Sequence, residues 1–184
     1  MKGFGQQEAN SLGRGNSQQE VLIQKGLKYH SEGKIELAKK VYESYIAKGY
    51  EDCRVYGNYG ILLKRENKSQ KAIEIFNKSI KKYPNYIPSY KSLIQLYVAS
   101  NQNHEAIDLL EKLIQLTPDN SDLYTLIASL LIKSERTLEA EIFIKVSLDK
   151  NPDHLNNIII LGDIYNLKGN HKKSLNTYKK ALKI

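Results

Sequence analysis

The sequence contains little of the chemistry that cross-links a small protein or catalyses a reaction. Cys53 is its single cysteine, so no internal disulfide can form. The four histidines, His30, His104, His154 and His171, are scattered and give no zinc-ligand spacing with it. There is also no Gly-rich phosphate loop, nucleophile elbow or metal-spaced carboxylate cluster. We therefore predict a protein that is not an enzyme, holds no metal or cofactor and is stabilised by packing alone.

Long apolar runs are absent as well. No stretch approaches the roughly 18 consecutive apolar residues that a membrane-spanning helix needs, and the first 20 residues hold no apolar run typical of a secretory signal. We expect a cytoplasmic protein that does not enter a membrane. Residues 1–18 are mostly Gly, Gln, Asn and Ser, which bury too little surface to offset the entropy of ordering, and we predict a disordered polar tail there.

Strand-like alternation is missing from the rest of the chain, residues 19–184, where apolar residues recur at helical spacings of three and four. Three of the four prolines, Pro84, Pro118 and Pro152, lie 34 residues apart, which is the period of a helix-turn-helix repeat. With each proline at position 32, the repeats start at Gln19, Cys53, Ile87, Ser121 and Leu155, and the last is incomplete. The sequence predicts an all-α fold of five antiparallel helix pairs.

Other positions of the 34-residue period support this register. Position 20 holds a small residue in every repeat: Ala38, Ala72, Ala106, Ala140 and Ser174. Position 8 holds a small residue in four repeats of five: Gly26, Gly60, Ile94, Ala128 and Gly162. Position 24 is large: Tyr42, Phe76, Leu110, Ile144 and Tyr178. Large side chains are expected to fill the space that small ones leave where two helices approach closely.

Stop signals recur at the same places. Each of the three prolines should push the residue before it, Tyr83, Thr117 or Asn151, out of the helical region and end the second helix of its repeat. Repeat one lacks this proline, and Gly49 can end its second helix in a left-handed conformation instead. The turns inside the pairs are predicted at Gly33, Asn67, Asn101, residues 134–137 and Gly169.

This pattern resembles the tetratricopeptide repeat family over residues 19–184. Repeat two carries the signature most fully, with Tyr56, Tyr59, Gly60, Ala72, Phe76 and Pro84. The stretch from His30 to Lys64 also resembles bacterial proteins in which such arrays accompany sulfotransferase-, methyltransferase- or glycosyltransferase-like domains. The resemblance implies a right-handed superhelical solenoid whose first helices line a concave groove, and a role as a scaffold for protein-protein interaction.

Projecting the sequence on that architecture predicts which side chains face the groove. They are polar for the most part, and this composition suits hydrogen bonding to an extended peptide. They are Arg54, Asn58, Ile61, Lys64, Lys91, Gln95, Thr125, Ser129, Asn156 and Asp163. The alternative interpretation is a face that is merely solvated.

One family mechanism can be tested residue by residue, namely the clamp of Lys, Asn and Arg that grips a carboxylate at a peptide's C-terminus. Of its five positions, only Asn58 matches when the clamp starts at repeat one, and only Lys91 matches when it starts at repeat three. We therefore do not expect a receptor for chaperone tails. Recruitment of a substrate for a transferase remains an alternative function.

The net charge of +8 raises the possibility of nucleic-acid binding. The excess is concentrated in repeat two, with eight basic and two acidic residues, and in repeat five, with six and one. Most of those lysines fall on second helices, away from the groove, as expected for a solvated face. The cluster of Lys81, Lys82, Tyr83 and Tyr86 is the exception that nucleic acid could use, although packing between repeats explains it as well.

The last helix raises a further hypothesis. Leu175, Tyr178 and Leu182 stand at the spacing of one helix face, which a following repeat would cover. We predict weak self-association through this face. The alternatives are that the chain is shortened from a longer relative, or that the three side chains are partly exposed in a monomer.

Overall fold

The structure, a computed structural model, describes residues 17–184, and this part of the chain contains ten α-helices and no strand. The helices, numbered here in chain order, are α1 Ser17–Ser31, α2 Ile35–Ala47, α3 Cys53–Arg65, α4 Ser69–Lys82, α5 Ile87–Ala99, α6 Asn103–Leu116, α7 Ser121–Lys133, α8 Thr137–Lys150, α9 Leu155–Leu167 and α10 His171–Ala181. The tail predicted for residues 1–18 lies, up to residue 16, outside the described residues.

The helix starts follow the predicted register. The first helices of repeats two to five begin at Cys53, Ile87, Ser121 and Leu155, which are the predicted repeat starts. The all-α fold of five helix-turn-helix repeats is therefore confirmed. A side-chain cap fixes several of these starts: Asp52 accepts a hydrogen bond from the Arg54 amide at 2.8 Å, and Asn120 accepts one from the Asp122 amide at 3.2 Å.

The helix ends at the prolines also agree with the sequence. Helices α4, α6 and α8 stop one residue before the residue that precedes each proline. That preceding residue has left the helical region in all three cases, with φ/ψ of −130/72° at Tyr83, −139/65° at Thr117 and −141/85° at Asn151. Gly49, which follows α2, has φ of 72°, so the predicted left-handed end of repeat one is confirmed.

The turn inside each repeat depends on one left-handed residue at position 15. The residues there are Gly33, Asn67, Asn101, Glu135 and Gly169, and their φ values lie between 57° and 72°. Gly and Asn adopt this conformation readily, whereas a Glu does so at a cost in free energy. The predicted turns are confirmed, and in repeat four the left-handed residue is Glu135.

The chain divides into two compact units, with the division between Leu96 and Tyr97. In the first unit, fully buried side chains from α1, α2 and α3 form one core cluster, which contains Ile23, Ala38, Tyr42, Tyr45, Val55 and Leu62. In the second unit, α7 packs along α8 and α9 packs along α10. Ile127, Leu131 and Ile144 are buried in this second core.

The pairing of small and large residues within a repeat is confirmed where position 8 is glycine. A Cβ atom added at Gly26 would lie 2.5 Å from Tyr42 Cε1, and one added at Gly162 would lie 2.4 Å from Tyr178 Cε1. Each aromatic ring at position 24 therefore occupies the space of the missing side chain. Repeat four has Ala128 at position 8 and the aliphatic Ile144 at position 24, and both are fully buried.

Candidate binding surface

Six of the predicted groove residues lie in the first unit, on helices α3 and α5. We call them the α3/α5 face: Arg54, Asn58, Ile61, Lys64, Lys91 and Gln95. The four on α3 recur every three or four residues, so they share one side of the helix, and each is half-buried. Lys91 and Gln95 are one turn apart on α5 and exposed. Lys64 Nζ donates a hydrogen bond of 2.8 Å to Gln95 Oε1 and so joins the two helices.

Arg54 is held firmly by two carboxylates. Its guanidinium donates to both oxygens of Asp52, at 3.0 and 2.8 Å, and to both oxygens of Glu20 on α1, at 3.2 and 2.8 Å. The hydrogen bonds to Asp52, and then those to Glu20, raise the pKa of Arg54, and the hydrogen bonds from Arg54 lower the pKa of Glu20. The charge of Arg54 is thus compensated, and the side chain links α1 to α3.

Asn58, on the α3/α5 face, contacts His30 of α1. Asn58 Nδ2 donates to the Arg54 carbonyl oxygen at 2.8 Å, four residues back along α3. Burial lowers the pKa of His30 and the nearby Arg65 lowers it further, while a hydrogen bond with Asn58 acts in the opposite direction. The His30 ring meets the buried Tyr42 edge to face, with centroids 6.4 Å apart. The sequence pattern does not predict these contacts of His30, since its partners lie on two other helices.

The other four predicted residues, Thr125, Ser129, Asn156 and Asp163, lie in the second unit on α7 and α9, and we call them the α7/α9 face. Thr125 Oγ1 is 2.9 Å from both Ser147 Oγ and Asn157 Oδ1, and Ser129 Oγ donates to the Thr125 carbonyl oxygen at 2.9 Å. Both hydroxyl groups therefore form hydrogen bonds within the second unit. Asn156 and Asp163 are exposed, and Asp163 accepts a hydrogen bond of 2.5 Å from the Tyr178 hydroxyl.

Buried polar pairs between repeats were missed by the sequence analysis. Ser79 and Ser89, both fully buried, have their hydroxyl oxygens 2.7 Å apart. In the second unit, the fully buried Asn157 donates from Nδ2 to Ser147 Oγ at 2.8 Å. Both pairs join position 27 of one repeat to position 3 of the next. The sequence does contain a signal for these pairs, because each serine at position 27 is followed ten residues later by another polar residue.

The basic and aromatic residues around Pro84 are largely engaged with one another and with their neighbours. Lys82 forms an ion pair with Glu51, and its Nζ lies 5.9 Å from the centroid of the Tyr56 ring. The Tyr83 ring is tilted against that of Tyr56, with centroids 6.2 Å apart. Tyr86 is half-buried, and a Cβ atom added at Gly57 would lie 2.9 Å from its Cε1 atom. Burial raises the pKa of Tyr86 to about 12.

The last helix exposes two of the three side chains that the sequence placed on its open face. Leu175 is 54% exposed and Leu182, directly after α10, is 86% exposed. Tyr178 is half-buried instead, because its ring packs over Gly162 and its hydroxyl bonds to Asp163. Across the described residues, none of the helices has both the length and the apolar character needed to cross a membrane.

Comparison with known proteins gives matches to family models and to solved structures. Three models described as tetratricopeptide repeat match residues 58–86, 97–158 and 157–184, which together cover more than half of the chain. No curated protein matches the sequence.

Among solved structures, MamA AMB-1 is 23% identical with a TM-score of 0.75, and the match covers 91% of each chain. MamA from Desulfovibrio magneticus RS-1 is 18% identical with a TM-score of 0.72, covering 91% of this chain and 95% of the other. Identities this low show a shared fold. Because the helices, their turns and three family models agree, the chain belongs to the tetratricopeptide repeat family.

Proposed function

We propose that this protein is a non-catalytic scaffold that binds an extended peptide or protein segment on the α3/α5 face. The observation that supports this most directly is the Lys64 to Gln95 hydrogen bond, which brings polar groups of two successive first helices onto one continuous surface. Ile61 on α3 and Lys91 on α5 lie one turn before these two residues, and Asn58 lies one turn before Ile61. In this proposal the α7/α9 face serves as a further contact for the same class of ligand, through Asn156 and Asp163.

The chemistry of the α3/α5 face suits a peptide backbone with acidic side chains. Backbone carbonyl and amide groups can bond to the Gln95 side-chain amide, which offers both a donor and an acceptor. Lys91 is exposed and carries a positive charge. Arg54 adds no further uncompensated charge to the face, because it is already paired with Asp52 and Glu20. A carboxylate on the ligand would therefore meet Lys91 and Lys64 rather than Arg54.

A photo-crosslinking amino acid placed at Ile61 tests this proposal. Partners captured by the wild-type face should be lost when Asn58, Lys91 and Gln95 are together changed to alanine. The matched control changes Lys71 and Lys78, which are exposed on α4, to alanine. Equal capture by the triple variant and the wild type would contradict binding on this face. If the captured protein is a transferase or its substrate, the alternative of a substrate-recruiting module is supported.

Nucleic-acid binding is the less favoured alternative, because Lys82 is already paired with Glu51 and Tyr83 packs against Tyr56. It predicts an affinity that falls steeply with salt and depends on Lys81, Lys82, Lys172 and Lys173. Binding that is unaffected by changing these four lysines would exclude it. The cytoplasmic location stays a prediction of the sequence.

We further propose weak self-association through the α10 face, consisting of Leu175, Tyr178 and Leu182. The exposure of Leu175 and Leu182 supports it, since burying apolar surface is favourable. Light scattering on the wild type and on Leu182→Glu tests it. We expect a larger mean mass for the wild type at high concentration, and identical monomer masses would contradict it.

A further inference from the structure

The α10 face has a charge pattern that limits what can cover it. Helix α10 and the residues after it carry five lysines and no acidic residue. Lys179 lies one turn after Leu175 on α10, Lys183 follows Leu182 directly after the helix, and all four side chains are exposed. A partner surface should therefore offer apolar side chains surrounded by carboxylates, because like charges facing each other are unfavourable.

Two other surfaces of a second copy lack that complementarity. A contact of the α10 face with itself would set lysines against lysines. The outer side of α1 exposes Val21, which is 64% exposed, but Lys25 and Lys28 stand on the same side of that helix. Both arrangements place basic groups opposite basic groups.

A third surface, on α8 in the second unit, has the required composition. Leu138 is 68% exposed and Ile142 is 63% exposed, one turn apart on α8. In the other four repeats the two equivalent positions hold polar or charged residues: Glu36 and Lys40, Gln70 and Glu74, His104 and Asp108, and Lys172 and Asn176. The apolar pair is thus peculiar to repeat four, and neither packing within the second unit nor the repeat pattern accounts for it.

Acidic residues border this pair. Glu135 precedes α8 and Asp149 lies two turns after Ile142 on the same side of the helix, and both are exposed. Three cations of this region are already paired: Arg136 with Glu139 at 2.7 Å, and Lys145 and Lys168 with Glu141 at 2.6 and 2.5 Å. Asp108 and Glu111 on α6 lie close enough to Arg136 to contribute to its raised pKa, after Glu139.

We propose that the α10 face of one copy docks on the Leu138/Ile142 surface of α8 in a second copy. Each copy would then present one donor face and one acceptor face, so the contact is heterologous and can continue from copy to copy. Few side chains are involved, so we expect weak, concentration-dependent association that weakens with salt. This inference rests on the proposed self-association, and it is independent of peptide binding on the α3/α5 face.

Paired charge reversals test the contact by analytical ultracentrifugation over a concentration series. The first variant carries Lys179→Glu and Lys183→Glu, and the second carries Glu135→Lys and Asp149→Lys. Each alone would bring like charges together and should weaken association about tenfold. An equimolar mixture of the two should recover association, because every donor face then finds an oppositely charged acceptor face. The control variant, Lys71→Glu with Lys78→Glu on α4, should associate as the wild type does.

Each other outcome overturns the proposal in a different way. A wild type that stays monomeric at all concentrations removes self-association altogether. If the wild type associates and the Glu135/Asp149 variant associates equally well, α8 is not the acceptor and only the present inference fails. If the first variant associates equally well with the wild type and with the second variant, which share the same α10 face, and the second variant alone associates as the wild type does, α10 pairs with itself. Unchanged far-UV circular dichroism of every variant ensures that these comparisons concern folded protein.

Discussion

The close approach of Gly60 to Phe76 allows a sharp test of the packing within a repeat. A Cβ atom at Gly60 would lie 2.5 Å from Phe76 Cε1 and 2.6 Å from Cζ. Carbon atoms in contact normally stand about 3.5–4.0 Å apart, so Gly60→Ala would bring them roughly 1 Å too close. Phe76 is fully buried, so the contact can be relieved only if its ring shifts within the core or helix α3 moves.

The magnitude follows from two opposing terms. Overpacking a core costs about 1–3 kcal/mol, while replacing glycine by alanine inside a helix contributes about 1 kcal/mol of stability. With a contact this short we expect the upper part of the range to apply, and Gly60→Ala should lower the free energy of unfolding by about 1–2 kcal/mol. Adding Phe76→Leu, which imitates the aliphatic pairing of Ala128 with Ile144, should restore part of the loss.

Gly57→Ala serves as the matched control on the same helix. It brings the same gain in helix propensity, but its neighbour is the half-buried Tyr86, whose ring can move outward. We expect the free energy of unfolding to change by no more than about 0.5 kcal/mol, because the gain in helix propensity nearly offsets the small remaining cost of the contact with Tyr86. Urea unfolding followed by far-UV circular dichroism measures all four proteins. If Gly60→Ala is as stable as the wild type, or Phe76→Leu gives no recovery, the proposed packing is wrong.

Three further predictions concern single residues. Glu135→Gly should raise the free energy of unfolding by about 0.5–1 kcal/mol, since Glu135 has φ of 61°. Ser147→Ala should lower it by about 1–3 kcal/mol, because the buried Asn157 side chain loses a hydrogen-bond partner. Since burial lowers the pKa of His30 below its ordinary value of 6.5, the unfolded chain binds its proton more readily, and stability should fall as pH drops below that value.

Controls for these predictions use the repeats themselves. Asn67→Gly, at the position equivalent to Glu135, should change stability less, because asparagine already tolerates φ of 58°. Replacing both Ser79 and Ser89 by alanine should be milder than Ser147→Ala, since no polar partner is left unpaired. His30→Gln should flatten the pH dependence near neutrality. An unaltered pH profile in that variant would assign the dependence to other groups.

Much of the fold could be predicted because the residues that end its helices and form its turns act locally and recur in successive repeats. Proline removes an amide donor wherever it stands, so Pro84, Pro118 and Pro152 end helices without help from distant residues. Left-handed turn residues likewise act locally. The spacing of Gly60 and Phe76 is fixed by the helix-turn-helix geometry, which makes their contact predictable as well.

The candidate site was less predictable because its contacts join separate repeats. Arg54 has groove spacing, yet its charge is compensated by Glu20, which stands 34 residues earlier in the sequence. Thr125 also has groove spacing, but its hydroxyl bonds to Ser147 and Asn157. Helical projection gives the side of a helix on which a residue lies. It does not give the partner that a neighbouring repeat supplies.

The buried residues at positions 27 and 3 predict that repeats of one period are not interchangeable. Along the chain the residues at these positions of successive repeats are Tyr45 and Val55, Ser79 and Ser89, Leu113 and Leu123, and Ser147 and Asn157, and all eight are buried. Polar residues coincide with polar ones and apolar with apolar. An exchange that set Asn157 against a leucine would leave a buried amide unpaired, which costs about 1–3 kcal/mol. Each repeat is therefore matched to its own neighbour, so these buried pairs favour the native order of repeats over alternative stackings of similar helix pairs.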